Sequence, residues 1–419
     1  MQPSLGALIC HAAGSTGCAD VEIVMPKSYW FERTSPAFRL MIATSWLAPE
    51  SWRARQDETV RQVCATGMDW AEYLRLVHRH RTPALSWAVL KRVQNVEMPE
   101  QIAQELRRVS DLCRMKAMLH SQVLAGILKG FNRAGIPVMP LKGTLLSLQM
   151  YGDPGLRQSK DLDILVAHEY VLQAQKCLEA MGWCRSAEYS SLTPRQSEFN
   201  LRYEHHIGFT EPRRGTELEL HWRTGWDTPE LAEGRLARSI ESEWQGCSYL
   251  AMDPMDLMLY LCNHGSDHAW VRAKWLGDLA RMFTAESVDW NAASDEGWAV
   301  LLCLCLLKDA YGLPTLEASN RPTKDMPPVL INKAVRELTA DAEPTGRAAP
   351  ARLFEEIRSY DYKHQLWPYR SRSESIAEVA VCRVDFRVLA LPDSLFWLYI
   401  PLRPFLWAWR HLKDFRPQL

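Results

Sequence analysis

The stretch IPVMPLKGTLLSLQMYGDPGLRQSKDLDILV, residues 136–166, constrains this chain more than any other. An apolar run ends at Leu141 and a Lys142-Gly143-Thr144 turn follows. Next come a short helix-forming segment, a loop rich in Gly and Pro, and a second apolar run carrying Asp161 and Asp163. Residues i and i+2 of a strand point to the same face, so Asp161 and Asp163 project together while Leu162 and Ile164 face the other way. Adjacent carboxylates repel each other, and a hard divalent cation with oxygen ligands is the natural occupant between them. The turn supplies the complementary half. Gly143 permits a tight bend or a close backbone approach, and Thr144 suits a helix N-cap. The free N–H groups and dipole at a helix start favour an anion such as phosphate. A phosphate cradle beside a carboxylate pair is what metal-dependent phosphoryl or nucleotidyl transfer needs.

Further on, YEHHIGFT and TELELHWR read as two strands joined by a turn around Pro212 and Gly215. On the second strand Glu217, Glu219 and His221 share one face, and Leu218 and Leu220 the other. Either glutamate can add a third acid to the pair; without further information both also read as solvated residues of a strand face.

LKGT followed by GLRQSKDLDILV resembles the uncharacterised nucleotidyltransferase family of bacterial proteins, within the polymerase-beta-like superfamily. The resemblance extends from about residue 45 to the C-terminus, with its motifs concentrated in 136–280. It implies an α+β fold: a small mixed sheet forming the nucleotidyltransferase core, flanked by helical regions on both sides. It implies a third acid at Glu219, just before Leu-His-Trp, in preference to Glu217. The expected reaction moves a nucleoside monophosphate from a nucleoside triphosphate to a small-molecule, peptide or protein acceptor, releasing pyrophosphate. Asp161, Asp163 and Glu219 would be the catalytic, metal-holding residues, with one or two Mg²⁺ ions. Lys142, Gly143 and Thr144 would cradle phosphates, joined by Arg157 just before the D-x-D strand. A later run, KWLGDL, resembles the family's second block. There Lys274 or Arg272 is expected to meet phosphate, or Asp278 to orient a neighbouring side chain. Two other readings stay open: a catalytically inactive relative that binds a nucleotide or partner, and a phosphotransferase moving the γ-phosphate.

A net charge of −1 over 419 residues provides no global basic field, which argues against a polynucleotide partner. The 11 cysteines are odd in number and show neither C-x-x-C nor zinc spacing, which predicts reduced thiols in a cytoplasmic protein. The N-terminal residues lack the basic start of a signal peptide, and no run approaches the ~18 apolar residues of a membrane helix.

Composition and periodicity divide the chain into a loosely ordered lead-in (1–40, with a short strand at Val21–Val24), an N-terminal helical region (41–131), the α/β core (132–228) and a C-terminal helical region (229–419). A long amphipathic helix is predicted from Pro99 to Phe131, with apolar residues at spacings of three and four. Asp69, Pro83 and the Asp253-Pro254 pair mark helix starts. Pro137 and Pro140 predict that the first strand is short or lies at a sheet edge. Residues 315–350 read as a loop or a poorly packed insertion.

Overall fold

The computed structural model describes residues 30–187, 189, 192–225, 229–293, 296–314, 326–341, 361–367 and 381–413. The expected strand at Val21–Val24 lies outside them. Compactness divides the chain into two units, each drawn from three separate stretches. One comprises 1–122, 142–159 and 253–341; the other comprises 123–141, 160–252 and 342–419.

The first unit is helical. It contains α1 (Pro36–Thr44), α2 (Glu50–Cys64), α3 (Trp70–His80), α4 (Pro83–Leu90), most of α5 (Glu100–Arg133) and α6 (Thr144–Tyr151). Later come α10 (Pro254–Asp267), α11 (Ala273–Thr284), α12 (Trp290–Ala293), α13 (Trp298–Tyr311) and α14 (Pro328–Thr339). The starts are capped as their residue types dictate. The Asp69 carboxylate accepts the Glu72 N–H at 2.9 Å, and Asp253 accepts that of Met255 at 2.9 Å. Helix α1 begins inside the expected lead-in, because Ser35 caps it and Pro36 presets its first turn. Helix α14 lies inside the stretch expected to be loop. Its Leu330, Ala334 and Leu338, spaced by four, are all buried, so the irregular composition of 315–350 conceals a packed helix. Gly277 in α11 sits where a Cβ would come within 2.5 Å of the Ser45 carbonyl oxygen, so the helix backbone passes the end of α1 without room for a side chain.

His80, fully buried at the end of α3, accepts the Ala273 N–H on Nδ1 at 3.0 Å. Burial, then the charges of Arg79 and Arg272, hold its pKa well below the ordinary 6.5. In the unfolded chain the imidazole takes up a proton near 6.5, while in the folded chain it resists one. The unfolded state therefore binds more protons as pH falls below 6.5, and stability is lost in that direction. Chemical denaturation is expected to show a decline of up to about 1.4 kcal/mol per pH unit from this group below pH ~6.5, flattened in His80→Gln.

The second unit carries the sheet. Its strands are β1 (Met139–Pro140), β2 (Leu162–Leu165), β3 (Cys184–Arg185), β4 (His206–Glu211) and β5 (Thr216–His221), in the order β1-β2-β5-β4-β3. Strands β2 and β5 are parallel and the remaining pairs antiparallel. The sheet is therefore mixed, which is consistent with an α+β fold. β1 is two residues long and lies at the end of the strand order, where Pro140 removes no ladder donor from a central strand. Helices α7 (Val171–Ala180), α8 (Pro194–Tyr203) and α9 (Pro229–Ala237) belong to the same unit. Leu162, Ile164, Ile207, Phe209, Leu218 and Leu220 form its buried centre.

After α9 the chain departs from the helical expectation for 229–419. Ile240–Trp244 and Cys247–Ala251 form a hairpin, β6-β7. Gln245 and Gly246 between them both have positive φ, 52° and 72°, the conformation of a two-residue type I′ turn. The C-terminal helix, Tyr399–Lys413, contains Pro404. Tyr399 and Leu406 from it pack with Val381 and Phe386, and against Phe199 and Phe396. No helix among the described residues is long and apolar enough to cross a membrane.

Candidate active site

In the second unit, the parallel pairing of β2 and β5 places Asp163 and Glu219 directly opposite each other. The adjoining antiparallel pair sets His206 opposite His221. These two registers bring together residues 58 positions apart in the chain. His221 Nε2 lies 3.3 Å from Asp163 Oδ1 and 3.2 Å from Glu219 Oε2. Asp163 is 3% exposed and His221 5%, while Glu219 is half-buried. Burial pulls the His221 pKa down, but hydrogen bonds to Asp163 and Glu219 and their charges outweigh it and hold the pKa above 6.5. Protonation is thereby eased, and in the protonated state the ring's positive charge sits between two carboxylates that would otherwise repel.

Asp163, Glu219 and His221 each present a ligand atom within 4.8 Å of the other two. The donor set fits a divalent cation: two carboxylates on rigid strands, one of them buried, with an imidazole oriented by both. Asp161 lies one residue before β2 and is half-buried. It is not a member of this group or of the second group of three, His205, His206 and His221. Glu217 is set apart from the cluster by its ion pair with Lys160, 2.6 Å between half-exposed groups.

The expected phosphate residues lie in the first unit. Gly143 is the N-cap of α6, with φ 82° and ψ −139°, a conformation that favours glycine. Thr144 accordingly occupies the first helical position rather than the cap. Its Oγ1 is buried without a hydrogen-bond partner among the described residues. Thr144 and Arg157 line a cleft of about 190 Å³ with Gln158, Ser159, Lys116 and His120. Arg157 donates through Nε to Asp278 Oδ2 at 2.7 Å, with both side chains essentially buried. Lys274 Nζ donates to the Gln158 carbonyl at 3.0 Å. Burial, then the charges of Arg157 and Arg81, hold the Lys274 pKa well below the usual ammonium range; Asp278 opposes the shift and Lys142 adds to it. Lys142, Arg157 and Lys274 thus share one field, with Asp278 as their counter-charge. Arg272 is buried and donates to the Arg79 carbonyl.

A family model described as an uncharacterised nucleotidyltransferase matches residues 66–300. The chain belongs to this nucleotidyltransferase family. The matched segment is shorter at both ends than the resemblance from residue 45 to the C-terminus. It encloses all of the residues named above as candidate carboxylates and phosphate contacts. Neither the curated proteins nor the solved structures gave a match. Membership makes nucleotidyl transfer the expected activity and a nucleoside triphosphate the expected substrate.

Two residues of the cluster carry no expectation from the sequence, His205 and His206. Their signal was in the hairpin itself. Counting outward from the pair Glu211 and Thr216 sets His206 against His221.

Proposed function

We propose that this nucleotidyltransferase transfers a nucleoside monophosphate from a nucleoside triphosphate to a hydroxyl or similar group of a small-molecule, peptide or protein acceptor, releasing pyrophosphate in a Mg²⁺-dependent reaction. The observation that carries the proposal is the in-register pair of acids on parallel strands, Asp163 and Glu219, tied together by His221. Asp161, Asp163 and Glu219 would hold the metal; when bound, a divalent ion there offsets the charge of the triphosphate and eases ionisation of the attacking hydroxyl.

The remaining work falls to the chain's own residues. Glu219, half-exposed beside the buried Asp163, accepts the proton from the acceptor. His221 keeps both carboxylates oriented by bonding to each. The acceptor oxygen forms its bond to the α-phosphorus as the bond from α-phosphorus to the bridging oxygen breaks, and pyrophosphate leaves. Lys142, the Gly143 turn and Thr144 bind phosphates, supported by the cationic field of Arg157 and Lys274. The unpartnered Thr144 hydroxyl, lining a cleft that includes Lys116 and Arg157, supports an anion at that position.

The test uses nucleoside triphosphates labelled at the α or the γ position, supplied with Mg²⁺ and a cell extract as the source of acceptor. Transfer of α-label with release of pyrophosphate is expected. Transfer of γ-label would instead mean a phosphotransferase, and no transfer from any of the four nucleotides would mean a non-catalytic binding protein. The two glutamates make an internal control. Glu219→Gln should lower turnover at least about a hundred-fold, whereas Glu217→Gln, which breaks an exposed ion pair, should stay within about twofold and change stability by less than about 1 kcal/mol. Equal effects of the two substitutions would remove Glu219 from the mechanism.

A further inference from the structure

Beside the carboxylates lie three imidazoles; His221 orients the carboxylates in the reaction proposed above, and His205 and His206 have no part in it. His205 immediately precedes β4, His206 opens it and His221 closes β5. Ring centroids are 4.5 Å apart for His205 and His206, 5.1 Å for His206 and His221, and 5.8 Å for His205 and His221. Each ring has a nitrogen within 4.8 Å of a nitrogen on both others. A point equidistant from three atoms so placed is within reach of a bond of about 2.0–2.1 Å after only small side-chain adjustments.

The surroundings add to the case. His221 is held through Nε2 by Asp163 and Glu219, the kind of carboxylate support that orients ligating histidines. Its other ring nitrogen, Nδ1, is buried with no hydrogen-bond partner among the described residues. Glu219 also approaches His206, with Oε1 3.9 Å from Nε2. A nitrogen-rich pole therefore adjoins an oxygen-rich one, with His221 common to both.

We propose that His205, His206 and His221 form a binding site for a divalent transition-metal ion of the zinc type. Imidazole nitrogen suits zinc and its first-row neighbours, whereas Mg²⁺ demands oxygen ligands. The site therefore discriminates between ions that the carboxylates alone would not separate. It stands on the geometry of three rings and does not depend on the transfer reaction.

The test is metal binding by the full-length protein after stripping with a chelator. Zn²⁺ titrated against a chromophoric competitor is expected to bind at one equivalent. A roughly thousand-fold excess of Mg²⁺ should leave that binding in place. Co²⁺ should give d–d absorption bands of nitrogen coordination. His206→Ala and His205→Ala should each weaken Zn²⁺ binding about tenfold or more and reduce the Co²⁺ bands. His206→Asn, closer in size, serves where the alanine variant loses its circular-dichroism signature. Absence of stoichiometric Zn²⁺ binding, equal binding by the histidine variants, or displacement by Mg²⁺ would each overturn the proposal. Since the readout is binding, none of these results bears on whether α-label is transferred in Mg²⁺, so the two readings fail independently.

Discussion

Asp163→Asn is expected to reduce Mg²⁺-dependent pyrophosphate release by at least about a thousand-fold, equivalent to about 4 kcal/mol of transition-state stabilisation. The substitution keeps the volume and removes the charge. Asp163 is buried in β2, paired in register with Glu219 and bonded to His221, so its charge acts in a shielded environment with rigid support. The asparagine variant should remain folded, because its amide can still meet His221 and the backbone ladder of β2 is untouched. The measurement is steady-state release of pyrophosphate, alongside circular dichroism and thermal denaturation of both proteins. A folded variant that retains more than a tenth of wild-type turnover would remove Asp163 from the chemistry. Loss of folding together with activity would mean that the carboxylate neutralises His221 as a structural matter.

Asp278→Ala is expected to have the largest effect on stability, a loss of about 3–5 kcal/mol. Asp278 is fully buried and accepts from Arg157 Nε at 2.7 Å and from the Tyr151 hydroxyl at 3.3 Å. Its charge is also the one that opposes the lowered pKa of Lys274. Truncation would leave a buried guanidinium without its carboxylate, and a buried amine without the charge that opposes its lowered pKa. The penalty is a large part of the roughly 5–15 kcal/mol that holds a typical domain together. Urea denaturation should show the midpoint falling with little change in slope. The double variant Arg157→Met with Asp278→Leu should recover much of the loss, since an apolar pair of similar volume carries no uncompensated charge. If the double variant is stable and its KM for the triphosphate is raised, Arg157 contributes to binding as well as to the fold. An unchanged KM would confine Arg157 to the ion pair.

The strand face shared by Glu217, Glu219 and His221 was legible in the sequence because it depends on local periodicity. Alternation along TELELHWR separated Glu219 from the leucines, and the parallel pairing then set it opposite Asp163. The same alternation puts Asp161 on the face of Asp163; Asp161 lies one residue before the strand, which begins at Leu162. Arg157 and Lys274 were legible as cations and not as buried ones. What engages Arg157 is Asp278, which lies 121 positions away, and no local pattern reports such a pairing. Thr144 was expected to cap its helix, but the positive φ of Gly143 gives the cap to the glycine and leaves the threonine one position inside. The β6-β7 hairpin was missed because its alternation is weak on exposed strands, although Gln245-Gly246 carried the turn signal. Helix α14 was hidden by the proline-rich residues before it.

Each compact unit is assembled from stretches that alternate along the chain, with changes of unit after residues 122, 141, 159, 252 and 341. Neither can be produced by cutting the gene at two points. A fragment spanning 132–228 would hold Asp163, Glu219 and His221 but lack the hairpin strand β7, whose Leu250 N–H bonds the Val138 carbonyl at the edge of β1. It would expose that edge to other chains. Work on the isolated core would therefore begin with an aggregation problem of its own making, and deletion series from either end would mislead about where activity resides.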